Sequence, residues 1–318
     1  MKTSRTPPST RADYTIAQDW ESYTDDEHAV WRTLYARQAK LLPGRACDAF
    51  LQGLDILHLN ADGIPDFARL NRRLHALTGW TVVAVPDLVP DAVFFEHLAN
   101  RRFPAGRFIR TFEQLDYLQE PDIFHDVFGH VPMLANPVFA DYMQLYGRNG
   151  LRAVPYHALH FLARLYWYTV EFGLIQTPGG LRIYGSGIVS SFGESTYCLE
   201  SPSPNRIGFD LQRVMSTAYR IDNYQQTYFV IDSFEQLFAA TNVDLVPVYP
   251  NLFARETIAP DAVVEGDHVL GRFLVKWNRR VAPGRRHRTG KLESGRPTCP
   301  SGQGPDRGPL PRLPASGQ

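Results

Sequence analysis

The sequence predicts a mainly α fold, an α+β domain with only a few short strands, on three observations. Apolar residues recur at helical spacing through much of residues 25–173. Runs rich in β-branched and aromatic residues are confined to residues 81–85, 181–184 and 227–231, too few for a large sheet. Neither a linker nor a repeat of fixed period interrupts residues 13–275, which therefore read as one domain.

Each element has its own signal. Residues 1–12 are polar, with Pro7 and Pro8 adjacent, and read as a flexible start. DDEHAVWRTLYARQAKLLPG, residues 25–44, combines an acidic first turn, apolar residues at helical spacing and a Pro-Gly stop. In residues 65–77, Phe67, Leu70, Leu74 and Leu77 step along one helix face, and Gly79 ends it. Residues 91–100 form a third helix. Asn136 followed by Pro137 is a cap with proline at the first helical position, opening a helix to about Tyr146 that Gly147 closes. YHALHFLARLYWYTVEFG, residues 156–173, is apolar on nearly every side and reads as one five-turn helix through the middle of the molecule.

Residues 276–318 differ. Beyond Trp277 no aromatic residue occurs, and residues 279–318 hold nine Lys and Arg against Glu293 and Asp306. Such a basic, Pro/Gly-rich tail cannot build a core and is expected to be solvated and dispensable. The chain's formal net charge is zero, so the remainder is acidic, which disfavours nucleic acid as a partner. At 44% hydrophobic the chain is not disordered throughout. The N-terminus lacks the apolar segment of a secretory signal, and nowhere do about 18 apolar residues run together. A cytoplasmic protein with no membrane partner is expected. Cys47, Cys198 and Cys299 are odd in number and lack C-x-x-C spacing, so neither a disulfide framework nor a zinc site is expected.

The chemically dense segment is EPDIFHDVFGHVP, residues 120–132, with His125 and His130 five apart around Asp126. On a regular α-helix five residues turn the chain roughly 500°, which leaves the two rings about 140° from a common face. Gly129 suits the left-handed position after a helix, so His125 is expected in the last turns and His130 just beyond the end. Glu171, an acid within the apolar helix, is the candidate third ligand, because an anion is costly to bury without a partner. Two histidines and a carboxylate form a facial triad, which leaves coordination positions open for non-haem Fe(II) and dioxygen chemistry. From spacing alone a histidine pair is more often structural than a metal site.

EPDIFHDVFGHVP, LYWYTVEFGL and YGSGIVSSFGE, in this order, resemble the signature blocks of the pterin-dependent aromatic amino acid hydroxylases. The resemblance extends over about residues 13–245 and implies a single basket-like helical catalytic domain. It implies Fe(II) held by His125, His130 and Glu171, with a tetrahydropterin as co-substrate. Phe94 would stack on the pterin while Phe95 packs in the core, Leu88 and Val89 would line the pterin edge, and Asp126 would reach it through water. Asp126 stands where the animal enzymes have Glu. Arg110 would clamp the amino acid carboxylate with two parallel hydrogen bonds, with Arg107 as its nearest rival. Leu118 replaces a Thr that assists this clamp in the animal enzymes. Tyr166 and Trp167 would line the active site, Tyr166 on the oxygen side of iron. Helical geometry places Trp167 nearly over Glu171 and turns Tyr166 away. Ser190 would support an iron-ligating imidazole, and Ser191 and Glu194 could extend that support. His157 and His160 are taken as structural.

The activity so implied is hydroxylation of L-phenylalanine to L-tyrosine with O2, by a monomer, since the helix that makes the animal enzymes tetramers has no counterpart here. Hydroxylation of tryptophan is the alternative within the family. Two readings compete from outside it. One is a metal-dependent phosphohydrolase built on the His125-Asp126 dyad with His97 and Asp210 or Asp222, and the other is a non-catalytic pterin- or metal-binding regulator.

Overall fold

A computed structural model describes residues 11–270 apart from 117 and 119. The tail expected over 276–318, Cys299 and nearly all of the polar start therefore lie outside the described residues.

The first half is built by capped amphipathic helices. Helix α1 (Asp25–Leu41) opens with a capping box in which Thr24 and Glu27 satisfy each other's backbone N–H, and buries Val30, Trp31, Leu34 and Gln38. Helix α2 (Asp48–Ile56) was not evident from the sequence, being short and lacking a side-chain cap. Helix α3 (Phe67–Thr78) is capped by Asp66 and closed by Gly79 at φ 74, as its punctuation predicts. Strand β1 (Thr81–Val85), helix α4 (Asp91–Ala99) and strand β2 (Arg102–Gly106) make a parallel βαβ unit, with Thr81 opposite Arg102 and Val85 opposite Gly106.

Helix α5 (Pro137–Ala153) starts at the Asn136 cap but does not end at Gly147, contrary to expectation. Glycines 147 and 150 lie inside the helix because α4 packs directly onto them. A Cβ at Gly147 would come within 2.4 Å of the Ala99 amide, and one at Gly150 within 2.0 Å of the Phe95 ring. Close approach, not termination, is what these glycines provide.

The apolar stretch 156–173 is likewise not one α-helix. Helix α6 (Leu159–Tyr166) passes into a π-helix, Trp167–Glu171. A four-stranded sheet follows, of order β4-β3-β6-β5. Strand β3 (Leu174–Thr177) and strand β4 (Gly180–Ile183) form an antiparallel hairpin. Helix α7 (Ser186–Val189), helix α8 (Phe192–Glu200), strand β5 (Asn205–Gly208) and helix α9 (Leu211–Ser216) lead to strand β6 (Thr227–Ile231). All five residues of β6 are buried, and it pairs parallel with both β3 and β5. Helix α10 (Phe234–Thr241) and helix α11 (Tyr249–Ala254) complete the described fold.

The fold is thus mainly helical with a few short strands, as the sequence predicts. One apolar core runs through it, with Trp31, Trp80, Tyr142, Tyr146, Phe124 and Phe128 fully buried. Cys47 and Cys198 are buried free thiols, and burial pushes the Cys47 thiol up to about 11. Among the described residues no helix is long and apolar enough to cross a membrane.

Candidate metal centre

His125 and His130 both lie in a π-helix, Phe124–His130. The wider turn of i→i+5 hydrogen bonding brings residues five apart nearer to one face than an α-helix does, and both imidazoles reach one cluster without a break in the chain. The left-handed helix end expected at Gly129 does not occur. Gly129 sits inside the π-helix, where a Cβ would stand 3.0 Å from the Ser186 carbonyl oxygen, so its role is to let α7 approach. His125 Nε2 lies 3.3 Å from His130 Nε2. Glu171 joins them from the second π-helix, its Oε1 3.2 Å from His130 Nε2 and its Oε2 3.5 Å from His125 Nε2. Among the described residues these three make up the one group of metal-ligand type, with donor atoms all within 4.8 Å of one another.

The surroundings settle how the donors are presented. The Ser190 hydroxyl donates to the Ser186 carbonyl at 2.7 Å, so toward His125 Nδ1, 3.0 Å away, it can only accept. His125 therefore carries a proton on Nδ1, and its Nε2 lone pair points at the cluster. Ser190, expected beside a ligating imidazole, thus lies in hydrogen-bond contact with His125. His130 is held by packing instead, between the Phe103 ring at 4.8 Å and the Tyr166 ring at 6.1 Å. Burial alone would raise the Glu171 pKa, but His130 and His125 beside it hold the carboxyl well below the usual range. Burial disfavours a charged His125, yet the Glu171 carboxylate still pulls its pKa up. Convergent, buried donors of this kind fit a divalent cation, which satisfies all three at once.

The π-register also changes the setting of the two aromatic neighbours of Glu171. The Phe172 N–H donates to the Trp167 carbonyl, five residues back, at 2.9 Å. Tyr166, which an unbroken α-helix would turn away from Glu171, lies instead beside a ligand-type histidine. Its ring stacks on His130 and meets Phe94 edge to face at 5.8 Å. Trp167 is buried, stacking on Tyr219 at 4.4 Å and donating from Nε1 to Gln225 Oε1 at 2.8 Å. Phe95 is fully buried, as expected of a core residue, while Phe94 faces the cluster's edge through Tyr166. Leu88 is exposed and Val89 half-buried in the segment before α4.

Arg110 is gripped by Asp122, a residue that sequence reasoning passed over. Asp122 accepts from Arg110 Nε at 2.8 Å and Nη2 at 2.9 Å, and from the backbone N–H groups of Arg110 and His125 at 3.0 Å. Asp122 is wholly buried, a burden outweighed by the guanidinium and these N–H groups, which hold its pKa low. The side-on pairing occupies the Nε–Nη2 edge and leaves the Nη1–Nη2 edge of the fork for another carboxylate. Arg107, the rival, pairs with Asp19 at 3.4 Å and Ser22 at 3.0 Å. Asp126 is buried and accepts the Gly106 N–H at 2.6 Å, tying the first π-helix to β2.

Ser191 caps α8, accepting the Glu194 N–H, and does not extend the support of His125. Glu194 is buried, taking hydrogen bonds from Tyr228 Oη and, at 3.1 Å, from the Gln225 N–H. Gln225 thus joins Glu194 to Trp167, and nothing local in its sequence announced it. The phosphohydrolase constellation does not assemble. His97 bonds the Asp13 carbonyl, Asp210 caps α9, and Asp222 pairs with Arg220. None belongs to the metal-ligand group.

A family model described as biopterin-dependent aromatic amino acid hydroxylase matches residues 13–243. The chain belongs to this family. It is 65% identical over 266 residues to phenylalanine-4-hydroxylase of Caulobacter vibrioides, covering 84% of this chain and 90% of that one. To phenylalanine-4-hydroxylase of Chromobacterium violaceum it is 61% identical over 257 residues, covering 79% and 86%. The iron- and phenylalanine-bound crystal structure of the Chromobacterium violaceum phenylalanine hydroxylase superposes with a TM-score of 0.79 at 57% identity, covering 82% of this chain and 96% of that one. The fold described above is therefore that of the biopterin-dependent hydroxylase catalytic domain.

Proposed function

We propose that this chain is a phenylalanine 4-monooxygenase, an iron(II)- and tetrahydropterin-dependent enzyme that converts L-phenylalanine and O2 into L-tyrosine. The observation that carries this reading is the convergence of a half-buried histidine, a buried histidine and a buried glutamate, presented by two π-helices, with the Nη1–Nη2 edge of Arg110 left open by its pairing with Asp122.

His125, His130 and Glu171 hold the iron. When bound, iron(II) and the tetrahydropterin supply the activation of dioxygen and the oxidising power for the ring. The chain itself binds, orients and keeps out water. Phe94 and Tyr166 wall the slot for the flat pterin, with Leu88 and Val89 along its edge, and Asp126 meets the pterin through water. Arg110 takes the amino acid carboxylate on its free edge, while Asp122 fixes the fork and, through the His125 N–H, sets clamp and metal ligand in one frame. Trp167, braced by Tyr219 and Gln225, lines the ring pocket. Tyr166 sets its ring beside His130, on the side where oxygen reacts. Ser190 fixes the His125 tautomer and so helps shape the substrate side.

Residues 13–275 act as the catalytic unit of a cytoplasmic monomer, with residues 276–318 dispensable. The acidic balance of the body supports small-molecule substrates over nucleic acid. Purified protein with Fe(II), tetrahydropterin, O2 and phenylalanine is expected to form tyrosine in proportion to bound iron. Turnover of tryptophan in preference to phenylalanine would overturn the substrate assignment. Light scattering tests the monomer.

A further inference from the structure

We propose that Gln225 is a positioning residue that fixes the orientation of the Trp167 indole in the ring pocket, through a strap of residues 219–225 folded against it. The proposal rests on the reading above, in which Trp167 lines the pocket for the amino acid ring.

Residues 220–226 are exposed except for Gln225, which is 4% exposed and turned inward. A buried amide is costly unless both of its ends are paired, and here both are. Gln225 Oε1 accepts from Trp167 Nε1 at 2.8 Å, and Gln225 Nε2 donates to the Arg220 carbonyl at 3.1 Å. The indole N–H can only donate and the carbonyl can only accept, so the amide is held in a single orientation.

The strap is fixed at both ends. The Gln225 N–H donates to Oε1 of the buried Glu194 at 3.1 Å, and at the start the Tyr168 hydroxyl donates to the Ala218 carbonyl at 2.6 Å. Near the tip, Tyr224 is seated over Gly193, where a Cβ would stand 2.0 Å from the Tyr224 hydroxyl. Tyr219, the first residue of the strap, stacks on the Trp167 ring at 4.4 Å. One segment therefore holds both the face of the indole and its N–H edge.

Packing alone does not choose between the two edges. Trp167 packs on Tyr219 and on the Phe172 ring at 4.7 Å, and an indole turned over about its Cβ–Cγ bond would keep such ring contacts. It would also leave its N–H buried without an acceptor, which the bond to Gln225 prevents. Hydrogen bonding thus decides which edge of the indole faces the substrate.

The test is a double-mutant cycle on phenylalanine kinetics of the iron-loaded full chain: wild type, Gln225→Met, Trp167→Phe and both together, with melting temperature as the folding control. Met matches Gln in length but offers neither partner a hydrogen bond. Q225M is expected to raise the phenylalanine KM roughly tenfold, through the loss of one buried donor's acceptor, and to leave the pterin KM nearly unchanged. W167F has no N–H to hold, so in that background Q225M should change the phenylalanine KM less than about twofold. A Gln225 that only stabilises the fold would give the same factor in both backgrounds. Equal factors, or an unchanged KM in folded Q225M, overturn the proposal. If Q225M does not melt cooperatively, Gln225→Asn, whose shorter side chain draws the amide away from the indole, takes its place in the same cycle. A phenylalanine-bound wild-type structure in which Gln225 has released Trp167 overturns the proposal whether or not the variants fold. Wild type that forms no tyrosine would instead remove the reading on which the proposal stands.

Discussion

Glu171 is an anion placed where anions are costly, and it is retained because two imidazoles and a serine hydroxyl face it. Removing any ligand therefore strips the site of affinity without removing much packing. Glu171→Ala or His130→Ala is expected to abolish iron retention and hydroxylation while the far-ultraviolet circular dichroism stays close to wild type. Full iron occupancy in either variant contradicts the ligand assignment. Arg110 poses a different question, since Lys can match its charge but not its fork. Arg110→Lys should raise the phenylalanine KM by the loss of a charge-assisted contact, about 1.5–3 kcal/mol, and leave the pterin KM nearly unchanged. An effect confined to the pterin would reassign Arg110. Asp122→Asn leaves a buried guanidinium without its counter-ion, so it should cost about 3–5 kcal/mol of stability in chemical denaturation as well as substrate affinity. Equal stability of the two proteins would mean that Asp122 is not what holds Arg110.

The two π-helices decide which side chains meet. The first brings His125 and His130 to one cluster, and the second carries Glu171 to it just beyond Tyr166, the last residue of α6. Glycines serve the same end by letting elements touch backbone to backbone. Gly150 is the sharpest case, because a methyl there would overlap the Phe95 ring, and Phe95 packs edge to face at 5.8 Å on Phe94. Gly150→Ala should therefore destabilise the fold by about 1–3 kcal/mol through overpacking and weaken pterin binding by displacing Phe94. An unchanged melting temperature would show that α4 can move aside at no cost.

For the whole molecule, pH acts through groups buried far from the surface. Burial pushes the Glu194 pKa up to about 6 from an ordinary 4.5, against the hydrogen bonds from Tyr228 and Gln225 that pull it down. An acid whose pKa is raised by folding contributes stability that is fully present below pH 4.5 and lost as pH rises through 6. The shift amounts to about 2 kcal/mol. Glu194→Gln keeps an acceptor for both partners but cannot ionise. From pH 4.5 to 7 its stability relative to wild type should rise by about that amount, as read from denaturation midpoints. A difference that does not vary with pH would place the ionisation elsewhere.

Much of the molecule could be read before its coordinates. The cap at Asn136, the Gly79 stop and the β-prone run of β6 act locally, so their residues announce them. Glu171 stood out because an anion is costly to bury without a partner, and the resemblance of the signature blocks joined it to His125 and His130. What eluded reading depends on neighbours distant in sequence. Glycines 129 and 147 look like helix ends until α7 and α4 are seen resting on them. Asp122 and Gln225 look like ordinary polar residues until Arg110 and Trp167 arrive beside them. The chain by itself announced the helices with clear caps, stops and apolar spacing, because propensity, capping and the cost of burial are local properties. Only tertiary structure decided that two helices wind as π-helices and which aromatic ring faces the metal donors, because a winding that weak local preferences leave undecided is set by what packs against it.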